Sequence, residues 1–192
     1  MMVKICGITN REDALAAVEA GASAIGFNFY RQSPRYISHT GAAMIGEKIP
    51  ANVWKVGVFV DEAPETIAKI VIEAGLDVAQ LHGLSSARGV RIWQAIGADN
   101  PILLTDVNEV EAVLIDSTDG VTGGSGKTWD WSHAPHLAKK IIIAGGLDAD
   151  NVREAIRQAH PWGVDACSRI ERAPGLKDHE KMRRFIEAAL KS

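Results

Sequence analysis

Eight short apolar runs recur along the whole chain, and this recurrence limits the fold more than any other feature. The runs show little alternation with polar residues, which is typical of parallel strands covered on both faces. They occupy residues 3–8, 24–29, 53–60, 78–81, 90–96, 110–115, 140–144 and 163–168. Stretches of helical period with end signals lie at residues 10–20, 63–74, 148–159 and 178–190, and the last two begin at the potential caps Asp148 and Asp178. The sequence therefore predicts an α/β fold with a parallel sheet.

The length of the chain indicates how these units are arranged. Eight strands in 192 residues leave about 24 residues for each strand and helix unit, enough for a short strand, a helix and two loops. We therefore expect residues 1–192 to form a single domain, a compact (β/α)₈ (TIM) barrel. Residues 97–108 are too short and too rich in Asp, Asn and Pro for a full helix, so we expect a shortened fifth unit. A doubly wound open sheet is the rival architecture.

Composition excludes several functional classes. The chain has 21 Lys and Arg against 24 Asp and Glu, a net charge of −3, so it lacks the basic excess of a nucleic-acid binder. No stretch approaches the roughly 20 apolar residues of a membrane span. Two cysteines argue against a secreted disulfide scaffold and favour a reducing cytoplasm. No spacing of His, Cys and Asp resembles a metal site, and we expect none.

The barrel geometry selects the candidate functional residues. In such barrels the active site lies at the C-terminal ends of the strands, where the following loops gather. The residues at these ends are Cys6, Arg35, Asp61, His82, Asp116, Gly145, Gly146, Cys167, Ser168 and Arg169.

Two of these residues have acid and base chemistry. Cys6 is by position alone well explained as a small buried hydrophobe, but Gly7 leaves room for a ligand and Lys4, on the same face, would lower the thiol pKa. Asp116 ends an apolar strand. It is either the start of a turn or an acid whose pKa its apolar neighbours raise.

Glycine-rich segments suggest how a phosphate is bound. Residues 123–128 resemble a nucleotide-binding P-loop, but that pattern requires glycine where the chain has Val121, so an ATPase site is disfavoured. A mobile loop over the barrel mouth, or a plain flexible loop, explains the segment better. Gly145 and Gly146, together with residues 166–169, follow the seventh and eighth strands, whose loops commonly bind phosphate through backbone N–H groups.

Taken together, the motifs and their order resemble those of one protein family. In order along nearly the whole chain they are VKICGIT at 3–9, GF at 26–27, SPRYI at 33–37, VGVFV at 56–60, QLHG at 80–83, GSGKT at 124–128 with DW at 130–131, AGGL at 144–147, and PG at 174–175 with KD at 177–178. This order resembles that of the phosphoribosylanthranilate isomerases of tryptophan biosynthesis. The resemblance implies a barrel enzyme that uses no cofactor and performs an Amadori rearrangement of a small phosphorylated substrate.

The resemblance also implies residue roles. Asp116 matches the general acid that protonates the ribose ring oxygen, and Cys6 matches the general base that removes the C2′ proton. Arg35 is expected near the anthranilate carboxylate. The remaining substrate-binding candidates are Gln80 and His82 of the QLHG motif, Gly145, Gly146, Ser168 and Arg169.

The chain departs from the family pattern after the eighth strand. The usual sequence is Asp-Val-Ser-Ser-Gly-Val-Glu, whereas this chain has Cys167 in place of a serine and Arg169 in place of the glycine. Two alternatives stay open. Related isomerases of histidine biosynthesis are longer and place an Asp where Cys6 stands, and Arg169 is compatible with an impaired relative that only binds a phosphorylated ligand.

The positions of the two cysteines support one more hypothesis. The first and eighth strands of a closed barrel are neighbours, and Cys6 and Cys167 both lie near their C-terminal ends. If their Cα atoms lie within about 4.4–6.8 Å, the thiols can form a disulfide under oxidation. The competing interpretation is that Cys167 is a small residue packed beneath the phosphate loop.

Overall fold

Eight parallel strands close into a barrel. A computed structural model describes residues 1–83, 85–99, 110–117, 126–135 and 139–192. The strands are β1 (Met2–Ile5), β2 (Ala24–Asn28), β3 (Trp54–Val60), β4 (Val78–His82), β5 (Arg91–Gly97), β6 (Ala112–Asp116), β7 (Lys140–Ile143) and β8 (Gly163–Ala166). Each pairs with its sequence neighbour, and β8 returns to β1 with Met2 opposite Gly163 and Ile5 opposite Ala166. This closure confirms the predicted barrel and excludes the open sheet.

Five helices and a small hairpin surround the described part of the barrel. They are α1 (Arg11–Glu19), α2 (His39–Gly46), α3 (Pro64–Glu73), α4 (Val152–Ala159) and α5 (His179–Leu190), with the hairpin strands β9 (Glu171–Ala173) and β10 (Leu176–Lys177) before α5. None of the described helices is long and apolar enough to cross a membrane. Residues 100–108 of the predicted shortened fifth unit lie outside the described residues.

Local side chains explain where the helices begin. Asn10 caps α1 by accepting a hydrogen bond from the N–H of Asp13, and Asp178 caps α5 in the same way, as the sequence predicted. The prediction that Asp148 caps a helix is wrong. Its carboxylate accepts hydrogen bonds from the N–H groups of Asp150 and Asn151 within a turn, and α4 begins only after this turn.

The barrel interior is apolar at one end and polar at the other. At the N-terminal end, Trp54, Trp93 and Trp162 pack together, with ring centroids 5.7–6.1 Å apart. Arg91 and Lys140 lie over two of these rings, at 5.2 and 4.6 Å. This aromatic cluster packs at the N-terminal end of the barrel, whereas the pocket lined by polar side chains opens at the C-terminal end.

Gly57 on β3 is required by close packing. A Cβ atom at this position would lie 2.5 Å from Leu76 Cδ1 and 2.8 Å from Phe59 Cε2. We expect Gly57→Ala to lower the free energy of unfolding by about 1–3 kcal/mol, the usual cost of overpacking. Gly46→Ala is the matched control, because its Cβ would meet only the flexible Lys55 side chain at 3.3 Å and a backbone oxygen at 3.8 Å. Urea unfolding measures each variant against the unchanged chain, and a Gly57→Ala variant as stable as that chain would contradict the packing argument.

Candidate active site

A pocket opens at the C-terminal end of the barrel. All nine residues that we expected from the sequence to catalyse or bind line it: Cys6, Arg35, Gln80, His82, Asp116, Gly145, Gly146, Ser168 and Arg169. Cys167 also lines the pocket. Asp61 does not; it has a left-handed backbone with φ of 47°, and its carboxylate packs against Gly83.

Cys6 lies directly after β1, and its neighbours fix its position. Its N–H donates a hydrogen bond of 2.9 Å to the carbonyl oxygen of Ala166 at the end of β8. On the other side, β2 contributes Gly26, where a Cβ atom would lie only 3.0 Å from Cys6 Sγ. The following Gly7 has φ of 73°, which turns the chain out of the barrel. The thiol is therefore held between β8 and β2 and borders the pocket.

The surroundings of Cys6 favour its thiolate. The neighbouring Cys167 side chain is the largest cause that lowers the pKa of Cys6 well below its usual value. Burial opposes this shift, whereas Lys4 and Lys177 support it. The lowering by Lys4 has the direction that the sequence led us to expect. Both cysteines are free, so the oxidative disulfide stays a prediction.

Lys4 is itself fully buried and paired. Its Nζ lies 2.9 Å from Asp165 Oδ1, across the β1–β8 junction. Although burial disfavours the ammonium, Asp165 and Cys6 raise the pKa of Lys4, so it stays charged. Burial raises the pKa of Asp165 to about 7, against the attraction of Lys4. A positive charge is thus fixed beneath the Cys6 thiol.

Asp116 is the last residue of β6 and faces the same pocket. Burial raises its pKa, and the hydrogen bonds from Ser117 together with the influence of His82 oppose the shift. The backbone of Gly145 packs closely against this carboxylate. A Cβ atom at Gly145 would lie 2.9 Å from Asp116 Oδ1 and 2.6 Å from the Ser117 nitrogen, so a side chain does not fit there. Asp116 is therefore both a turn former, through Ser117, and an acid that burial keeps protonated to higher pH.

Gln80 and His82 alternate on β4 and point into the barrel. Their Nε2 atoms lie 3.0 Å apart, within hydrogen-bonding distance. The Gln80 Oε1 atom is buried and has no hydrogen-bond partner within the described ranges. This acceptor is suited to a hydroxyl or N–H group of a ligand.

The Arg35 guanidinium forms a bidentate ion pair with the Glu171 carboxylate, referred to below as the fork. Its Nε lies 3.0 Å from Glu171 Oε1, and its Nη2 lies 2.8 Å from Glu171 Oε2. Lys177, fully buried, donates to the same Glu171 Oε1 at 2.8 Å. Burial raises the pKa of Glu171, but Arg35 and Lys177 outweigh this effect, so the pKa of Glu171 is lowered. The fork uses one edge of the guanidinium and leaves the Nη1 edge available for a second carboxylate.

The expected phosphate end lies where the chain after β6 meets the loops after β7 and β8. Gly146 has φ of 59°, and a Cβ atom there would lie 2.7 Å from the carbonyl oxygens of Gly126 and Lys127. Arg169 donates through Nε to Gly126 O at 3.0 Å and pairs through Nη1 with Asp148 at 2.7 Å. Residues 123–125 of the glycine-rich loop lie outside the described residues.

Glu171, which pairs with the pocket residue Arg35, and Lys177, which pairs with Glu171, are supporting residues that the sequence analysis missed. Both are buried, although they lie in a short hairpin whose turn is Pro174–Gly175. Two opposite charges that flank a Pro-Gly turn indicate a hairpin. They do not indicate that the hairpin packs under the barrel mouth, because that depends on closure of β8 against β1.

Comparisons with known proteins agree with this geometry. The sequence model of the N-(5′-phosphoribosyl)anthranilate (PRA) isomerase family matches residues 3–188. The N-(5′-phosphoribosyl)anthranilate isomerase of Solibacter usitatus is 46% identical over 196 aligned positions, covering 98% of this chain and 97% of the relative. The crystal structure of phosphoribosyl anthranilate isomerase from Thermotoga maritima aligns with a TM-score of 0.89 and 38% identity, covering 100% of both chains.

A further solved structure includes a ligand. It is a phosphoribosyl anthranilate isomerase in complex with reduced 1-(o-carboxyphenylamino)-1-deoxyribulose 5-phosphate, with a TM-score of 0.82 and 34% identity over 100% of both chains. None of these matches favours the histidine-pathway alternative. Since sequence and fold agree over almost the entire chain, the chain belongs to the N-(5′-phosphoribosyl)anthranilate isomerase family.

Proposed function

We propose that Asp116 and Cys6 divide the acid and base steps by which this chain isomerises N-(5′-phosphoribosyl)anthranilate to 1-(2-carboxyphenylamino)-1-deoxyribulose 5-phosphate. The observation that carries the proposal is a single pocket lined by a thiol with a lowered pKa and a carboxyl group with a raised pKa. An acid and a base must coexist near neutral pH for this reaction, and opposite shifts of this kind allow it.

The first step opens the sugar. The protonated Asp116 donates its proton to the ribose ring oxygen while the lone pair of the anthranilate nitrogen forms a C1′=N bond and the C1′–O bond breaks. The product is an open-chain protonated Schiff base. Because the Asp116 carboxylate is left in a buried site, Ser117, which donates to it at 2.6 Å, stabilises the charge that forms there.

The second step moves the double bond. The Cys6 thiolate removes the proton from C2′, and the electrons of that C–H bond form C1′=C2′ while the C1′=N electrons return to nitrogen. The resulting enolamine becomes the ketone when the Cys6 thiol returns its proton to C1′ and the 2′-hydroxyl proton passes to the Asp116 carboxylate, which restores both groups. Atoms and electrons balance within the substrate, so the acid and the base suffice and no redox partner is required.

The substrate's two anionic ends suit the two ends of the pocket. We assign the anthranilate carboxylate to the Nη1 edge of Arg35, and the phosphate to backbone N–H groups near Gly146 and Ser168, with Arg169 as a further cation close by. The free Gln80 acceptor and His82 lie between these ends and are suited to the sugar hydroxyls.

The Arg35 assignment gives a prediction about KM. We expect Arg35→Ala to raise KM or lower kcat/KM by about 10- to 100-fold, and Arg35→Lys to rescue it only in part, because an ammonium lacks the planar fork. Steady-state kinetics with the substrate and with an analogue lacking the carboxylate measure the effect. If the analogue loses as much on this mutation as the substrate does, the assignment is wrong. Thermal melting controls for the loss of the Glu171 pair.

Turnover of freshly generated phosphoribosylanthranilate, followed by loss of its anthranilate fluorescence, tests the function itself. We expect this loss with the purified chain and no added cofactor. Turnover of a histidine-pathway aminoaldose phosphate alone would support the first alternative. Binding without turnover of either substrate would support the impaired relative.

A further inference from the structure

Arg35 is held at three points along its length. Its backbone N–H donates a hydrogen bond of 3.1 Å to Ser33 Oγ. Its aliphatic stem packs on the turn that follows Cys6, since a Cβ atom at Gly7 would lie 2.7 Å from Arg35 Cδ. Its guanidinium forms the fork with Glu171. The side chain therefore lies beside the proposed base with its charged end in a single orientation.

Glu171 has little freedom of its own. Only 4% of its side chain is exposed. Its Oε1 atom accepts hydrogen bonds from Arg35 Nε at 3.0 Å, Lys177 Nζ at 2.8 Å and the Gly175 N–H at 3.2 Å. The Cys167 sulfur lies 4.0 Å from the same oxygen, and Oε2 accepts from Arg35 Nη2 at 2.8 Å. A carboxylate with both oxygens engaged in this way cannot turn without breaking several bonds, so it fixes the plane of the guanidinium.

The hairpin that carries Glu171 is attached to the start of α1. Glu171 and Lys177 lie opposite each other on β9 and β10. The Lys177 N–H donates to Asp13 Oδ2 at 2.8 Å, and the Thr9 hydroxyl donates to the carbonyl oxygen of Gly175. The position of the fork is thus fixed by the barrel framework and not by the hairpin alone.

The charges of this group leave a positive balance. Arg35 and Glu171 alone would form a neutral pair with little attraction for another anion. Lys177, whose side chain is completely buried, adds a second cation to the same carboxylate, so the three groups together carry one net positive charge. The N–H groups of Arg35 that the fork does not use, at the Nη1 edge, are the donors through which this charge can meet a second carboxylate.

We propose that Glu171 and Lys177 are positioning residues for the anthranilate end of the substrate: Glu171 orients the Arg35 guanidinium, and Lys177 restores the positive charge that Glu171 would otherwise cancel. The proposal rests on the proposed assignment of Arg35 to the substrate carboxylate. Neither Glu171 nor Lys177 is among the described residues that line the pocket, so both act through Arg35.

Preorganisation is the physical reason why this arrangement helps binding. An arginine that is already held in its binding orientation loses little rotamer freedom when the substrate arrives, so more of the bidentate interaction contributes to affinity. The competing interpretation is that Glu171 serves only as the counter-ion of buried Lys177. A counter-ion affects the stability of the fold, whereas a positioning residue affects how well the pocket distinguishes ligands with and without the carboxylate.

Two ligands that differ by one carboxylate measure this distinction. The first is 1-(2-carboxyphenylamino)-1-deoxyribulose 5-phosphate reduced at its C2′ ketone with borohydride, and the second is the same compound prepared from aniline. Neither can be isomerised, so isothermal titration calorimetry with the whole chain gives their Kd values. Binding is a better measure than turnover here, because Lys177 also lowers the pKa of Cys6. The ratio of the two Kd values is the carboxylate discrimination.

The variants separate orientation from charge. Glu171→Met/Lys177→Met and Glu171→Gln/Lys177→Gln each remove one anion and one cation, so the net charge is kept while the bidentate carboxylate is lost. Lys177→Met alone keeps the fork but leaves Arg35 and Glu171 as a neutral pair. Glu154→Gln is the matched control, because it removes a similar bidentate pair with Arg157 on the exposed surface of α4. Circular dichroism and thermal melting check the fold of each variant.

We expect both double variants to lower the carboxylate discrimination by about tenfold, the usual contribution of a charge-assisted hydrogen bond. The loss should come from weaker binding of the carboxylate ligand, with the ligand made from aniline within about twofold of its original Kd. Lys177→Met should lower the discrimination by about three- to tenfold, because the net charge is gone. Glu154→Gln should change neither Kd by more than about twofold. The use of two double variants covers the case in which one does not fold.

Three results would overturn the proposal. Unchanged discrimination in a folded double variant would leave Glu171 as a counter-ion only, and equal weakening of both ligands would indicate general damage to the pocket. Unchanged discrimination in Lys177→Met would remove the role of its charge.

Arg35→Ala separates these results from failure of the proposed function. If the unchanged chain does not discriminate, or if Arg35→Ala still discriminates, the assignment of Arg35 is wrong and the proposal fails with it. If Arg35→Ala abolishes the discrimination while the double variants keep it, the Arg35 assignment holds and only the positioning role of Glu171 is rejected.

Discussion

Cys6→Ala is expected to lower kcat by about 10²- to 10⁴-fold, the usual contribution of a general base, while the fold is kept. The reason is geometric: the Cys6 sulfur borders the pocket and has a fully buried ammonium beneath it, so its removal leaves this cationic site without a base. Steady-state kinetics with phosphoribosylanthranilate measure the loss, and circular dichroism with thermal melting shows that the barrel is intact.

Cys6→Asp is the informative control for this result. A carboxylate at this position can take a proton, and Lys4 would stabilise its charge. We expect Cys6→Asp to retain more activity than Cys6→Ala. If a well-folded Cys6→Ala variant keeps a kcat near that of the unchanged chain, Cys6 has no part in proton removal.

Asp116→Asn is expected to cause a loss of similar size, about 10²- to 10⁴-fold in kcat, because an amide cannot donate a proton to the departing ring oxygen. The change keeps the shape of the side chain and its place beside Ser117. Asp150→Asn, the same chemical change at an exposed residue outside the pocket, should stay within about twofold.

A second measurement separates loss of the acid from damage to the site. The pH midpoint for iodoacetamide alkylation of Cys6, followed by mass spectrometry of its peptide, should change little in Asp116→Asn, because the neighbours Cys167 and Lys4, which lower the pKa of Cys6, remain. A kcat reduced by less than about tenfold would show that another group protonates the sugar.

Patterns within a strand and the expected neighbourhood of the first and eighth strands allowed part of this site to be predicted. Lys4 and Cys6 lie two residues apart, so the period of a strand places them on one face, and closure of the barrel places Cys167 near Cys6. The sequence did not indicate that Asp165 on β8 pairs with Lys4. The pattern also says nothing about how the hairpin residue Glu171 folds back to Arg35, 136 positions away.

The helices show the same contrast. Strong local signals gave α1, α3 and α5 to within one residue at each end. The sequence did not indicate α2, because Gly41 and Gly46 weaken its helical propensity, although Ser38 caps it. Asp148 had the correct residue type for a cap, but its carboxylate is used in a turn and in the pair with Arg169. Competing partners of this kind exist only in the folded chain.

Closure of the barrel through β1 and β8 has a consequence for the growing polypeptide. The Lys4–Asp165 bond joins residues 161 positions apart, and contacts this distant form slowly because the intervening chain must first be ordered. A ribosome releases Cys6 and Asp116 before Cys167, Glu171 and Lys177. A nascent chain that ends before β8 therefore carries both proposed catalytic side chains without Cys167 and Lys177, which favour the Cys6 thiolate in the folded barrel. Activity then depends on completed synthesis, and partial translation products are expected to be inert rather than weakly active.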